Sequence, residues 1–265
     1  MTDLTSRYGT WAVITGASNG IGREFAVQLA AIGMNVVIAG RDEGRLEQLA
    51  RSIRDEFGVE AVAAPGDLST TAAIEELLEV ASKFDVGLLI ANAGFGTSGS
   101  FAESDLEGEL DMLNVNCRAL FALTQQFTKR FAGRKCSGIV LLSSIVAFQG
   151  VPSSAHYSAT KAYVQNLGEA LHVELAPLGI DVLSVAPGPV DTGFAARAGL
   201  KMGTALAPDV IARQSISALG RKMTTRPGWL SRVLAMALGT APRWARVRIM
   251  GQVMGGMTRH QQEHA

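Results

Sequence analysis

The stretch from Trp11 to Ala30 limits the possible fold more than any other. A short apolar run, Trp11-Ala12-Val13-Ile14, stops at Thr15 and gives way to Gly16-Ala17-Ser18-Asn19-Gly20-Ile21-Gly22. Apolar residues then recur at helical spacing, at Phe25, Ala26, Leu29 and Ala30. Such a run reads as a buried strand and such a recurrence as a helix. The glycines between them allow a tight turn and a close approach to the backbone. The alternation continues along the chain. Residues 35–39, 59–64 and 86–91 read as strands, and 42–57 and 74–84 as helices. Apolar runs at 139–142 and 180–186 add two more strands, Pro208 opens a helix to about Leu219, and 222–226 reads as a short seventh strand. Strands separated by helices at crossover length join in parallel, with helices on both faces of the sheet.

The expected fold is therefore α/β. It is a single doubly wound, Rossmann-like domain over residues 1–228, with a mostly parallel sheet of six or seven strands and a helical extension over 229–265. A chain of 265 residues, 48% of them hydrophobic and 18% charged, can bury a sheet on both faces. The first residues, MTDLTSRYGT, lack the apolar core of a signal peptide. Cys117 and Cys136 have neither CxxC nor metal-ligand spacing, so no metal is expected and a reducing cytoplasm is.

Strand, glycine turn and helix in that order form a cradle for a dinucleotide, with the pyrophosphate at the helix N-terminus. The second strand ends in Gly40-Arg41, where an acidic residue would accept from the ribose hydroxyl of NAD. A small residue followed by Arg41 leaves room and charge for a 2′-phosphate, so NADP(H) is expected in preference to NAD(H). Asp67, in Pro65-Gly66-Asp67-Leu68, can accept from an adenine amino group or serve only as a turn residue. Asn92-Ala93-Gly94 follows the fourth strand, and its small side chains let a cofactor lie against the backbone.

Chemistry enters at Ser143-Ser144 and at Tyr157-x3-Lys161. Tyr157 and Lys161 stand four residues apart in a helical segment, on one face. An ammonium near a phenol lowers the phenol's pKa from about 10, which makes the pair a candidate acid/base. Ser144, at the end of an apolar run, can donate to a substrate oxygen. His156 points about 100° away from Tyr157 on a helix and is left off the catalytic face.

In order and spacing, these motifs resemble the short-chain dehydrogenase/reductase family over roughly residues 9–195. The resemblance rests on Thr15-Gly16-x3-Gly20-Ile21-Gly22, Asp67-Leu68, Asn92-Ala93-Gly94, Asn116, Ser144, Tyr157-x3-Lys161 and Pro187-Gly188-Pro189-Val190-Asp191-Thr192. It implies a hydride-transfer oxidoreductase acting on a carbonyl or the corresponding alcohol. Tyr157 would exchange the proton, Lys161 would bind the nicotinamide ribose, Ser144 would polarise the substrate oxygen and Asn116 would hold a water in a proton relay. Gly16, Ser18, Asn19, Gly20 and Ile21 would line the pyrophosphate and ribose. Asp67, Leu68, Asn92, Ala93 and Gly94 would bind the cofactor, and Pro187, Gly188, Val190 and Thr192 would cover the nicotinamide. A homodimer or homotetramer is the family expectation. The branch it is most similar to contains hydroxysteroid dehydrogenases and long-chain 3-oxoacyl reductases, which implies an apolar substrate. Phe95, Phe148, Val151 and Phe194 are candidate pocket liners.

The segment after Thr192, rich in Gly and Ala with Phe194, Leu200 and Met202, reads as a substrate-covering lid with hinges at Gly193, Gly199 and Gly203, or as a static loop. Past Pro227-Gly228, Trp229, Leu230, Val233, Leu234, Ala237 and Leu238 recur at helical spacing, and a second helix carries Trp244, Val247, Met250, Met254 and Met257. Arg232, Arg243, Arg246, Arg248 and Arg259 make this tail basic. Residues 196–265 hold 11 basic and 2 acidic side chains, against 13 and 22 in residues 1–195. The tail's role stays open between packing, roofing an apolar pocket and lying on an anionic membrane surface. No nucleic-acid motif accompanies the charge. The competing functional reading is a cofactor-bound regulatory or membrane-surface module with vestigial chemistry.

Overall fold

The computed structural model describes residues 4–199 and 205–262. The expectations for Leu200, Met202 and Gly203 lie outside them, as do those for the side chains of Leu230, Leu234, Ala237, Leu238 and Arg259. A short helix α1 (Leu4–Tyr8) leads into β1 (Trp11–Thr15), α2 (Gly20–Ala30), β2 (Asn35–Gly40), α3 (Glu43–Phe57), β3 (Ala61–Pro65), α4 (Thr71–Ser82) and β4 (Val86–Ala91). Then come α5 (Leu106–Leu113), a π-helical turn (Asn114–Ala119), α6 (Leu120–Phe131), β5 (Ser137–Leu142), α7 (Ala155–Glu174) and β6 (Ile180–Val185). The chain closes with α8 (Phe194–Arg197), α9 (Pro208–Ala218), β7 (Thr224–Thr225), α10 (Trp229–Thr240) and α11 (Arg243–Gln262).

The seven strands form one parallel sheet in the order β3-β2-β1-β4-β5-β6-β7. Side chains alternate across it. Ala12 and Ile14 of β1 pack with Phe25 and Leu29 of α2 on one face. Trp11 and Val13 pack with Phe127 and Phe131 of α6 on the other. Burial on both faces is why the strands read as continuous apolar runs. The strand order reverses between β1 and β4, which opens a crevice at their carboxyl ends. All the sequence motifs that carry chemistry fall on that edge.

Most helix limits follow local chemistry. Asp42 caps α3 by accepting from the Arg45 N–H at 3.0 Å, and Gly58, at φ 65°, ends it. Thr70 caps α4, so that helix begins at Thr71, earlier than apolar spacing alone suggests. β3 starts at Ala61, not Val59, and β7 shrinks to two residues from the five expected, because only Thr224 and Thr225 pair with β6.

The helix α1 was invisible in the apolar pattern. It is held by Asp181 of β6, whose Oδ2 accepts from the Tyr8 hydroxyl at 2.7 Å and from Arg7 Nε and Nη2 at 3.1 and 2.6 Å. Tyr8 is 1% exposed, so losing this acceptor strands a buried hydroxyl. Asp181→Ala is expected to destabilise the chain by about 2 kcal/mol, read from urea unfolding, with Tyr8→Phe rescuing part of the loss. An unchanged midpoint would show that the clamp contributes nothing.

Candidate active site

A cavity of about 540 Å³ runs along the crevice. Its floor begins at the turn after β1. Gly16 has φ 68°, a left-handed conformation that favours glycine. A Cβ on Gly22 would lie 2.3 Å from the Gly16 carbonyl oxygen and 2.6 Å from Asn92 Nδ2. That amide donates to the carbonyls of Thr15 and Gly16 at 2.9 and 3.2 Å, and Thr15 Oγ1 accepts from the N–H groups of Asn92 and Ala93 at 3.0 and 2.9 Å. The turn after β1 and the turn after β4 are thus laced together, and their backbones form one wall. Gly16, Ser18, Asn19, Gly20, Ile21, Arg41, Asp67, Leu68, Asn92, Ala93 and Gly94 all line the cavity, as do Pro187, Gly188, Val190 and Thr192. This small-residue cradle at a helix N-terminus, with Arg41 and Asp67 at one end, fits a dinucleotide.

Ser144, Tyr157 and Lys161 line the same cavity. The end of β5 and the first turns of α7 bring them together, and two hydrogen bonds fix the junction. Ser143 Oγ donates to the Lys161 carbonyl at 3.0 Å, and Lys161 Nζ donates to the Leu142 carbonyl at 2.8 Å. Burial pushes the Tyr157 phenol up to about 12, opposed by a hydrogen bond from Ser144. Burial also lowers Lys161 to about 8. Burial thus disfavours the charged form of both groups: at neutral pH the phenol is neutral, while the lysine still holds its proton at a cost. The expectation that the ammonium would acidify the phenol is not what the geometry favours. Nζ lies 5.9 Å from the Tyr157 ring centroid and is spent on a carbonyl, while desolvation acts on both groups.

Asn116 is fully buried and does not line the cavity. Its Oδ1 accepts from the Phe95 N–H at 3.0 Å, and its Nδ2 donates to the Phe95 carbonyl at 2.8 Å and to Thr160 Oγ1 at 3.0 Å. It pins the loop after β4 to α7, and the π-helical turn that carries it aims it there. Of the four aromatic and aliphatic candidates, Phe95 and Phe194 line the cavity. Phe148 instead sits under the Arg226 guanidinium at 4.4 Å, and Val151 is core. His156 pairs with Glu109 at 2.6 Å, away from Tyr157's partners.

The far wall comes from α11. Ile249, Met250, Val253, Met254 and Met257 face the cavity. Met250, Met254 and Met257 belong to the stripe expected from the sequence, but Trp244 does not join them. It is 63% exposed, with Arg248 over its ring at 5.3 Å. Residues missed from the sequence include Asp111, Val115 and Arg197, all cavity liners. Arg197 had one visible mark, a cation in a Gly- and Ala-rich segment that otherwise carries charge only at Lys201. Among the described residues no helix is long and apolar enough to cross a membrane, and no cluster of His, Cys, Asp and Glu could hold a metal.

Known proteins are similar to this chain in sequence and fold. A 7beta-hydroxysteroid dehydrogenase from Clostridium sardiniense is 30% identical over 234 residues, covering 87% of this chain and 90% of that protein. A human protein named inactive hydroxysteroid dehydrogenase-like protein 1 is 31% identical over 248 residues, covering 91% of this chain and 75% of that protein. The solved structure of a short-chain dehydrogenase from Sphingobium yanoikuyae in complex with NADPH superposes with a TM-score of 0.80 at 32% identity, covering 86% of this chain and 91% of that one. Residues 10–202 match the short chain dehydrogenase family, and with the fold and crevice described above the chain belongs to that family of oxidoreductases.

Proposed function

We propose that this chain interconverts a bulky apolar ketone and its secondary alcohol with NADP(H), using Tyr157 as acid and base. The observation that carries this reading is the join of three surfaces in one cavity. Arg41 and the glycine turn stand at one end, Ser144, Tyr157 and Lys161 in the middle, and the apolar face of α11 along the far wall. When bound, the nicotinamide supplies or accepts the hydride. Tyr157, neutral at physiological pH because burial raises it to about 12, holds the proton that a reduced carbonyl oxygen must receive. Ser144 bonds the same hydroxyl and stabilises the phenolate left behind. Lys161 holds the end of β5 and lies buried beside the tyrosine, where it can reach a ribose hydroxyl. Met250, Met254 and Met257 offer an adaptable apolar wall, and Phe194 packs beside the Tyr157 ring with centroids 5.3 Å apart.

The test is NADPH oxidation against two panels, 3-oxoacyl thioesters of increasing length and ketosteroids. A rate that rises with apolar size supports the reading, and a rate confined to small polar ketones contradicts it. A second reading, a cofactor-bound module without turnover, draws on the human relative named inactive. It predicts NADPH binding with no oxidation on either panel. The juxtaposed Ser144, Tyr157 and Lys161 weigh against it. Assembly as a homodimer or homotetramer belongs with this proposal and is checked by light scattering. The basic tail's contact with membranes is checked by sedimentation with anionic vesicles, with and without residues 229–265.

A further inference from the structure

We propose that Gln149 is a specificity-determining residue whose amide oxygen accepts a hydrogen bond from a hydroxyl on the substrate's carbon skeleton. The inference rests on the ketone-reduction reading above and narrows it, to a hydroxylated apolar ketone. Gln149 lines the cavity and is 5% exposed. Its Nε2 donates to the Ile145 carbonyl at 3.3 Å. A carbonyl can only accept, so this contact fixes which end of the amide is which. Oε1 accepts from no described residue, yet it is not among the side-chain atoms sealed from solvent without a partner. It therefore opens on the cavity that the residue lines.

The other buried polar side chains of the cavity are already committed within the protein. Ser143 Oγ donates to the Lys161 carbonyl, Lys161 Nζ to the Leu142 carbonyl and Ser154 Oγ to the Thr97 carbonyl at 2.9 Å. Ser144 bonds the Tyr157 hydroxyl. Gln149 is the one whose acceptor is left for a ligand. A buried amide oxygen without a donor costs free energy, and a substrate that supplies the donor removes that cost.

Gln149 stands where the loop after Ser144 meets the apolar wall. A 3₁₀ turn, Ile145–Phe148, leads from Ser144 to Gln149, whose backbone is extended at φ −158° and ψ 165°. Its neighbours are anchored, Phe148 under the Arg226 guanidinium and Val151 in the core. Helix α11 seats directly on this loop. A Cβ on Gly150 would lie 3.7 Å from Val247 Cγ2, and one on Gly251 would lie 3.2 Å from Pro152 Cγ. A ligand that runs from Ser144 and Tyr157 along α11 meets one acceptor at this seam. A hydroxyl answers it with one donor. A substrate amide would bring a carbonyl that needs a donor of its own, and Nε2 is already engaged. A ketone clad only in hydrocarbon would displace water from Oε1 and give nothing back.

NADPH oxidation tests this on ketosteroids that carry one ring hydroxyl at varied positions. Each is compared with counterparts bearing hydrogen or a methyl ether in place of that hydroxyl, on the wild type and on Gln149→Met. In the wild type, kcat/KM for at least one hydroxylated ketosteroid is expected to exceed that of both counterparts by about thirtyfold. In Gln149→Met the advantage should shrink to less than about threefold. A ratio between substrates does not depend on the fraction of enzyme folded, and the wild-type arm stands even if the variant fails to fold. The inference is overturned if no hydroxyl gives an advantage in the wild type, or if the advantage survives in Gln149→Met. A methyl ether as good as the hydroxyl would also overturn it, because an ether cannot donate to Oε1. No oxidation of NADPH with any ketone would instead refute the ketone-reduction reading, and the inference with it.

Discussion

Tyr157→Phe is expected to lower turnover by about 10³-fold while NADPH binding stays within about twofold of wild type. The substitution removes one oxygen and keeps the ring, so packing against Phe194 survives. What is lost is the proton held in a buried site. Burial raises the phenol to about 12, so at neutral pH nearly all of it is protonated and ready to donate. Oxidation of the alcohol needs the phenolate instead, so its rate should climb with pH through the alkaline range while reduction does not. Ser144→Ala removes the hydrogen bond that opposes burial, and should push the climb to still higher pH. Steady-state rates in both directions and a fluorescence titration of NADPH read all of this. If Tyr157→Phe retained more than about a tenth of the turnover, the tyrosine would not be the proton donor.

The second large effect is on stability, in the chain without cofactor. Lys161 is 5% exposed, and burial lowers it from its ordinary 10.5 to about 8. Between those values the unfolded chain binds more protons than the folded one, so unfolding free energy rises with pH from about 8 towards 10.5. Below about 8 both states hold the proton, and the folded state carries the cost of a buried ammonium. Tyr157 acts in the opposite sense from 10 to about 12, where the unfolded phenol ionises first and stability falls. Burial also raises the Cys117 thiol from 9.0 to about 11, so its unfolded form ionises first above pH 9 and offsets the lysine's rise there; the expected result is a stability maximum near pH 9, about 1 kcal/mol above the neutral value. Lys161→Met should flatten the rise between 8 and 9 and be more stable than wild type at pH 7. Urea midpoints across that range decide it. A wild-type profile that falls steadily from pH 8 would mean the lysine is charged and well paired in the folded chain.

Most of the cofactor cradle was legible because its motifs are local. A glycine turn after an apolar run, an Arg after the second strand and a Tyr four residues before a Lys each depend on neighbours in sequence. Strands buried on both faces announce themselves as unbroken apolar runs, and their parallel direction follows from crossover length, while their order came from the structure. The Trp244 stripe misled because helical spacing names a face but not what the face meets. Trp244 took the outer side, and Met250, Met254 and Met257 the inner.

The amino-acid sequence by itself determined the α/β class, the glycine turn after β1 as a cofactor cradle, and the identity of Ser144, Tyr157 and Lys161 as site residues. Only the tertiary structure decided that Asn116 is buried as a pin on Phe95 and Thr160, that α11 forms the apolar wall, and that Arg197 stacks on Phe95. It also decided the acidities, since burial raises the Tyr157 phenol and the Ser144 hydrogen bond opposes it only in part. The physical reason is range. Periodicity and turn chemistry act over a few residues. The contact between residues 95 and 197, the approach of α11 to the site and the desolvation of a phenol all depend on segments far apart in the chain, which meet only when the core closes.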